Sequence, residues 1–164
     1  MPADFLTLLR RDHYDLQQEL TRLLEPTATV AELRSTLDGV RLGLMAHAEA
    51  EDIVLGRFEE IPELQVLVTQ AHAAHLAQEG ALSALMAARP GTTGWRELAR
   101  HLRELVVFHA RHEETGLMEA LAIYAPPEEL RQLAGAFATE RLRQLAMLQP
   151  SAPAFGPFKI AEAS

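Results

Sequence analysis

The chain has 164 residues, a net charge of −8, 48% hydrophobic residues and no cysteine. This length fits one domain with a real core, and the negative charge argues against a nucleic-acid partner. The absence of cysteine excludes disulfides, thiolate metal sites and thiol catalysis. No apolar run approaches the roughly 18 residues that span a membrane, and charged residues interrupt the apolar patch at 5–9. We therefore expect no signal peptide, no membrane partner and a cytoplasmic location.

The sequence predicts helices throughout, because Ala, Leu, Glu, Gln and Arg dominate and strand-type alternation is missing. Prolines and glycines separate five predicted helices, at about 3–25, 30–60, 62–88, 95–124 and 127–149. Short connections favour antiparallel neighbours. The expected fold is therefore all-α: an up-down-up-down four-helix bundle with an additional C-terminal helix, which either covers the bundle or forms a homodimer contact. This bundle domain would occupy 1–149, with its core at 3–124, followed by a C-terminal tail at 150–164.

The inward face of each predicted helix contains metal-ligand residue types among its apolar positions. The second helix has the clearest pattern, in which spacings of four and three alternate, as in the seam of a packed helix. Its stripe consists of Leu33, Leu37, Val40, Leu44, His47, Glu51, Val54 and Phe58. The fourth helix is predicted to repeat this pattern with Trp95, Ala99, Leu102, Val106, His109, Glu113, Gly116 and Ala120. The first and third helices place His13 and His75 in equivalent stripes.

Two triplets of such residues recur at a constant offset of 62 positions. The first triplet is His13, His47 and Glu51, and the second is His75, His109 and Glu113. In each, a single His precedes a His-x-x-x-Glu pair by 34 residues. The repeat predicts a pseudo-two-fold arrangement of helices with a metal centre between its halves.

Burial of these residues would require a positive charge. A lone carboxylate in an apolar core costs several kcal/mol unless it is paired, and a metal cation supplies the pairing. Residues at i and i+4 share a helix face, so the His and Glu of one helix can reach one ion or two adjacent ones. Imidazole and carboxylate ligands suit iron, manganese, zinc or cobalt. The alternative is that these side chains are satisfied core or surface residues.

Three further residues are candidates for additional ligands or supporting contacts. His72 lies three positions before His75, His112 neighbours Glu113, and Tyr14 adjoins His13. We expect Tyr14 to be a partly buried packing residue and His112 to point away from the stripe. The acidic residues Glu49, Asp52 and Glu114 are expected on a solvated face.

With these positions in place, residues 3–124 resemble the hemerythrin-like, HHE cation-binding family. The resemblance rests on His13, the HAEAE segment at 47–51, His75 and the HARHE segment at 109–113. It implies a four-helix bundle with two iron ions in a non-haem, oxo- or hydroxo-bridged centre. Glu51 and Glu113 would bridge the irons, and the four in-register histidines would be terminal ligands. The pattern is more similar to the bacterial branch of the family than to its oxygen carriers, which place a His-x-x-x-His pair where this chain has His72-x-x-His75.

Three functions follow as hypotheses. The first is a di-iron protein that binds or senses O2 or NO, or takes part in iron handling or in the response to reactive oxygen or nitrogen species. The second is a di-iron enzyme that acts on peroxide or another reactive small molecule. The third is a regulatory or structural helical bundle. We expect no catalytic residue, since the sequence shows no nucleophile triad or phosphate loop.

Overall fold

The computed structural model describes residues 3–149, and within this range the chain is helical and has no strand. The α-helices are α1 (Phe5–Leu23), α2 (Val30–Leu55), α3 (Pro62–Ala87), α4 (Thr93–His112), α5 (Met118–Tyr124) and α6 (Pro127–Leu148). One turn of π-helix, Glu113–Leu117, joins α4 to α5. The all-α prediction is confirmed, and the predicted tail at 150–164 lies outside the described residues. No helix within 3–149 combines the length and apolarity needed to cross a membrane.

The predicted ends of the helices are mostly correct because their signals are local. Thr29 and Glu32 form a capping box at the start of α2, and the Thr92 side chain accepts a hydrogen bond from the Trp95 N–H at the start of α4. The predicted extension of the second helix to residue 60 is wrong, since α2 ends at Leu55 and a short 3-10 turn follows. Proline disfavours a helical conformation in the preceding residue, and Ile61 before Pro62 is accordingly extended.

Helices α1, α2, α3 and α4 pack in a ring, each against two of the other three. Helix α1 contacts α2 and α4, and helix α3 also contacts α2 and α4. Helix α6 packs principally against α2 and α1. The sequence left open whether the last helix covers the bundle or forms a homodimer contact. The structure shows that α6 covers α1 and α2.

The core consists of two apolar clusters with a polar layer between them. One cluster contains Leu9, Val54, Ala71 and Leu117, and the other contains Leu16, Leu44, Leu82 and Val106. Each polar stripe residue lies in sequence between a member of the first cluster and a member of the second. The six in-register His and Glu residues thus form one layer in the middle of the protein.

The π-helical turn corrects the predicted stripe of the fourth helix. The Met118 N–H donates to the Glu113 carbonyl, five residues earlier instead of four, which shifts the following residues around the helix axis. The predicted inward residues Gly116 and Ala120 are only partly buried, whereas Leu117, Met118 and Leu121 are buried. The turn starts at Glu113 itself, and such turns are frequent at functional sites.

Candidate metal centre

The structure brings all six in-register residues into one buried layer. Their exposed fractions range from 0% for Glu51 to 5% for His109. Helix α1 contributes His13, α2 contributes His47 and Glu51, and α3 contributes His75. His109 ends the regular part of α4, and Glu113 follows at the start of the π turn.

The donor atoms of these residues converge on a small volume. Ligand atoms from four of them, His13, His47, Glu51 and His109, all lie within 4.8 Å of one another and could hold a metal ion. The other two residues lie against this group. His75 Nε2 is 3.4 Å from Glu51 Oε1 and 3.1 Å from His109 Nε2. Glu113 Oε2 is 3.0 Å from His13 Nε2 and 3.6 Å from His109 Nε2.

The four imidazole rings form two closer pairs. The ring centroids of His13 and His47 are 5.1 Å apart, and those of His75 and His109 are 4.7 Å apart. Between the pairs, the centroid distances are 5.8 Å for His13–His109 and 5.9 Å for His47–His75. The 62-residue offset relates one pair to the other, so the repeat seen in the sequence is also present in space.

The layer is rich in buried polar atoms that have no hydrogen-bond partner within residues 3–149. They include both carboxylate oxygens of Glu51 and of Glu113, together with Nε2 of His13 and His47. Nε2 of His13 lies close to Glu113 Oε2, but the two groups are not oriented for a hydrogen bond. Native proteins leave few such atoms unpaired, and each costs about 1–3 kcal/mol. Lone pairs directed at a shared cation would explain the arrangement.

Three of the histidines are oriented by carboxylates on the side away from the cluster. The Nδ1–H group of His13 donates to Glu114 at 3.1 Å, that of His47 to Asp12 at 3.0 Å, and that of His75 to Asp52 at 2.8 Å. A ring that donates from Nδ1 presents the lone pair of Nε2 to the cluster. Carboxylate contacts of this kind commonly fix the tautomer of metal-ligating histidines.

Asp52 and Glu114, which were expected on a solvated face, are partly exposed, but each also bonds a histidine of the cluster. They directly follow the two glutamates of the cluster, and the same 62-residue offset relates them. Each supports the single histidine of the opposite half, since Asp52 bonds His75 and Glu114 bonds His13. The offset was therefore a usable signal for these residues.

Asp12 has no acidic counterpart, because the position 62 residues later is Ala74. Instead, Asp12 belongs to a contact between the site and α6. Arg141 Nε donates to Asp12 Oδ2 at 2.9 Å, and the Phe137 ring lies edge-on to His47 with a centroid distance of 6.2 Å. Helix α6 thus closes the site on the side of α1 and α2.

The structure places the three further candidates outside the cluster. The exposed side chain of His72 donates to Asp52 at 2.8 Å, so His72 shares this carboxylate with His75. His112 is exposed and its ring stacks on Phe108 with a centroid distance of 4.0 Å. The expectation of a partly buried Tyr14 is wrong, since 63% of this residue is exposed. Tyr14 follows His13 on α1, and consecutive residues of a helix face different directions.

Burial and close charges shift the pKa values of the cluster. The pKa of Glu51 is raised well above its usual value, first by burial and then by the adjacent Glu113 carboxylate. Burial also acts to raise the pKa of Glu113, but the close contacts with His13, Glu51 and His109 outweigh burial and lower it. Burial lowers the pKa of His109 to about 3, so its imidazole is neutral and able to bind a cation. Metal binding would therefore compete with protonation of Glu51.

Two cavities reach the cluster from opposite faces of α3. A cavity of about 50 Å³ lies between α2 and α3 and is lined by His75, Asp52 and Gln78. A larger pocket, of about 520 Å³, lies between α3 and α4 and is lined by His109 and Glu113. His75, His109 and Glu113 are the least completely buried members of the cluster.

Comparison of the chain with protein-family models, with curated proteins and with solved structures gave no match.

Proposed function

We propose that the protein binds a pair of metal ions in this buried layer and that its function depends on them. The observation that carries the proposal is the set of buried, unpartnered carboxylate oxygens and imidazole Nε2 atoms in a layer whose ligand atoms lie close together. A set of four imidazoles and two carboxylates suits iron, manganese or zinc.

The closer histidine pairs suggest how two ions would be shared. His13 and His47 would hold one ion, and His75 and His109 would hold the other. Glu51 lies within 4.0 Å of His47, His75 and His109, and Glu113 lies within 4.0 Å of His13 and His109. Each carboxylate therefore contacts histidines of both pairs, which is the placement required of a bridging ligand.

We further propose that the chain is a hemerythrin-like, up-down-up-down four-helix bundle with two irons. In support, α1, α2, α3 and α4 contact one another in a closed ring, and a ligand comes from each of them. An iron pair, when bound, would supply redox chemistry and open coordination positions for O2 or NO. The chain's own contribution is to hold the ligands, to exclude bulk water and to fix three imidazole tautomers through Asp12, Asp52 and Glu114.

Metal content and visible absorption test this proposal. Protein loaded anaerobically with Fe(II) and then desalted is expected to retain about two irons per chain. Exposure to air or to NO should then produce a charge-transfer band that the iron-free protein lacks. The double variant His47→Gln/His109→Gln should lose both signals, whereas the exposed His101→Gln should retain them. Less than one retained iron per chain in the wild type would overturn the metal centre, and a stoichiometry of one would overturn the two-ion arrangement.

The outer carboxylates give a separate prediction. Asp52→Asn should weaken metal binding by about 10- to 100-fold, the usual effect of losing a carboxylate that orients a histidine ligand. The matched control is Glu49→Gln, which makes a similar change at an exposed position of the same helix. A competition assay with a chromogenic chelator measures both affinities. Equal affinities for the two variants would show that the contact between Asp52 and His75 does not support the site.

A further inference from the structure

The pocket between α3 and α4 leads from the surface to the cluster. Its inner end is formed by His109 and Glu113, and its walls include Leu67, Ala74, Phe108 and Gly116. Its volume of about 520 Å³ is within the usual range of small-molecule sites, about 300–1,000 Å³. A diatomic gas would need far less space.

The pseudo-two-fold repeat relates this pocket between α3 and α4 to the groove between α1 and α2, which is occupied. The counterpart of His109 is His47, and the His47 ring faces the phenylalanine ring of Phe137 from α6. The counterpart of Ala74 is Asp12, which bonds Arg141 of the same helix. Helix α6 thus fills the groove between α1 and α2, whereas the groove between α3 and α4 is open. An aromatic ring beside His109 would reproduce the contact between Phe137 and His47.

The lining residues indicate the chemistry of an occupant. Phe108 is 62% exposed and stacks with His112 at the pocket, which gives an aromatic surface for a flat ring. At the inner end, the Glu113 oxygens are buried and unpartnered, so they can accept a hydrogen bond from a hydroxyl group. None of the described residues that line the pocket is Arg or Lys. A carboxylate or phosphate group would therefore lack a cationic partner from the protein.

We propose that this pocket binds a small, neutral phenol-type molecule. Its ring lies against Phe108 and His109, and its hydroxyl group points to Glu113. The part of this inference that concerns metal rests on the proposed function, because a cation held by His109 and Glu113 would also attract the phenol oxygen. The hydrogen bond to Glu113 and the aromatic contacts do not require a metal.

Titration of 4-fluorophenol, followed by ¹⁹F NMR, tests the proposal with metal-free and zinc-loaded protein. We expect saturable binding to both forms, with higher affinity in the zinc form. Ala74→Leu places a larger side chain in the pocket and should weaken binding by roughly fivefold or more. Phe108→Ala should weaken it by roughly two- to tenfold, the range expected for loss of one aromatic contact. Ala77→Leu makes the same change as Ala74→Leu at an exposed position of α3 outside the pocket, and should bind like the wild type.

Three results would overturn the proposal. The first is equal affinity of Ala74→Leu and Ala77→Leu for 4-fluorophenol in the metal-free protein. The second is tighter binding of 4-fluorobenzoate, which would mean that the site selects an anion. The third is a dimer, detected by light scattering, that dissociates in Ala74→Leu, because a second copy would then occupy the groove. Failure to bind zinc would instead contradict the proposed metal centre, and the metal-free titrations would still decide the pocket.

Discussion

Replacing Glu51 with leucine should stabilise the metal-free protein and abolish its stabilisation by metal. Glu51 is fully buried, and both of its carboxylate oxygens lack a hydrogen-bond partner within the part of the chain that the structure describes. Removing an unsatisfied buried polar group recovers its desolvation penalty, about 1–3 kcal/mol. Leucine has a similar volume, so the variant should not leave a large cavity. We expect the free energy of unfolding of the metal-free protein to rise by this amount.

The metal-loaded protein should respond in the opposite direction. A ligand that binds only the folded state stabilises it by about 2.7 kcal/mol at 100 times its dissociation constant and by about 4.1 kcal/mol at 1,000 times. The wild type should gain stability of this order with zinc or Fe(II), and Glu51→Leu should gain little. A carboxylate placed in the core only for packing would predict destabilisation in both states.

Urea unfolding with and without metal measures both effects. Glu49→Leu is the matched control, because it makes the same substitution at an exposed position of α2. It should retain the metal-dependent gain in stability. A Glu51→Leu protein that is less stable than the metal-free wild type, and that still responds to metal, would contradict the assignment of Glu51 as a ligand.

Acid should destabilise the metal-free protein through His109. Burial lowers the pKa of this residue from 6.5 to about 3 in the folded state. Between these values the unfolded chain binds a proton that the folded chain does not, so stability falls as the pH falls from 6.5 towards 3. One such group contributes a slope of about 1.4 kcal/mol per pH unit. Above pH 6.5 its contribution is constant.

The raised pKa of Glu51 acts in the opposite sense. The folded state retains a proton on this carboxyl above 4.5, so its contribution to stability falls as the pH rises. The test is therefore the difference between variants and not the absolute slope. His109→Gln should reduce the rise in stability between pH 4 and 6 by up to about 1.4 kcal/mol per unit, as measured by urea unfolding of metal-free protein at several pH values.

His101→Gln provides the control for this experiment. It makes the same substitution on the same helix at a position that is exposed in the folded chain. Its profile should be parallel to that of the wild type. If His109→Gln gave a parallel profile as well, the His109 imidazole would not be the buried neutral group that the geometry indicates.

Much of the site could be predicted because it follows from helical periodicity. His47 and Glu51 alternate with apolar residues at spacings of three and four, and this pattern alone places them on an inward face. The 62-residue offset then relates His13 to His75, His47 to His109 and Glu51 to Glu113. All six residues are buried in one layer, as the pattern requires. Their identity as metal ligands stays a prediction until metal is measured.

The sequence by itself determined the helices, most of their ends and the residues of the buried layer, since these depend on contacts between neighbours along the chain. Only the tertiary structure decided which outer carboxylate supports which histidine, because Asp52 and His75 lie on different helices. It also decided that α6 covers α1 and α2 and that the groove between α3 and α4 stays open. The π turn at Glu113 was not visible either, because a single displaced hydrogen bond has no signature in hydrophobic spacing. These features depend on how whole helices pack, and local sequence patterns do not encode that packing.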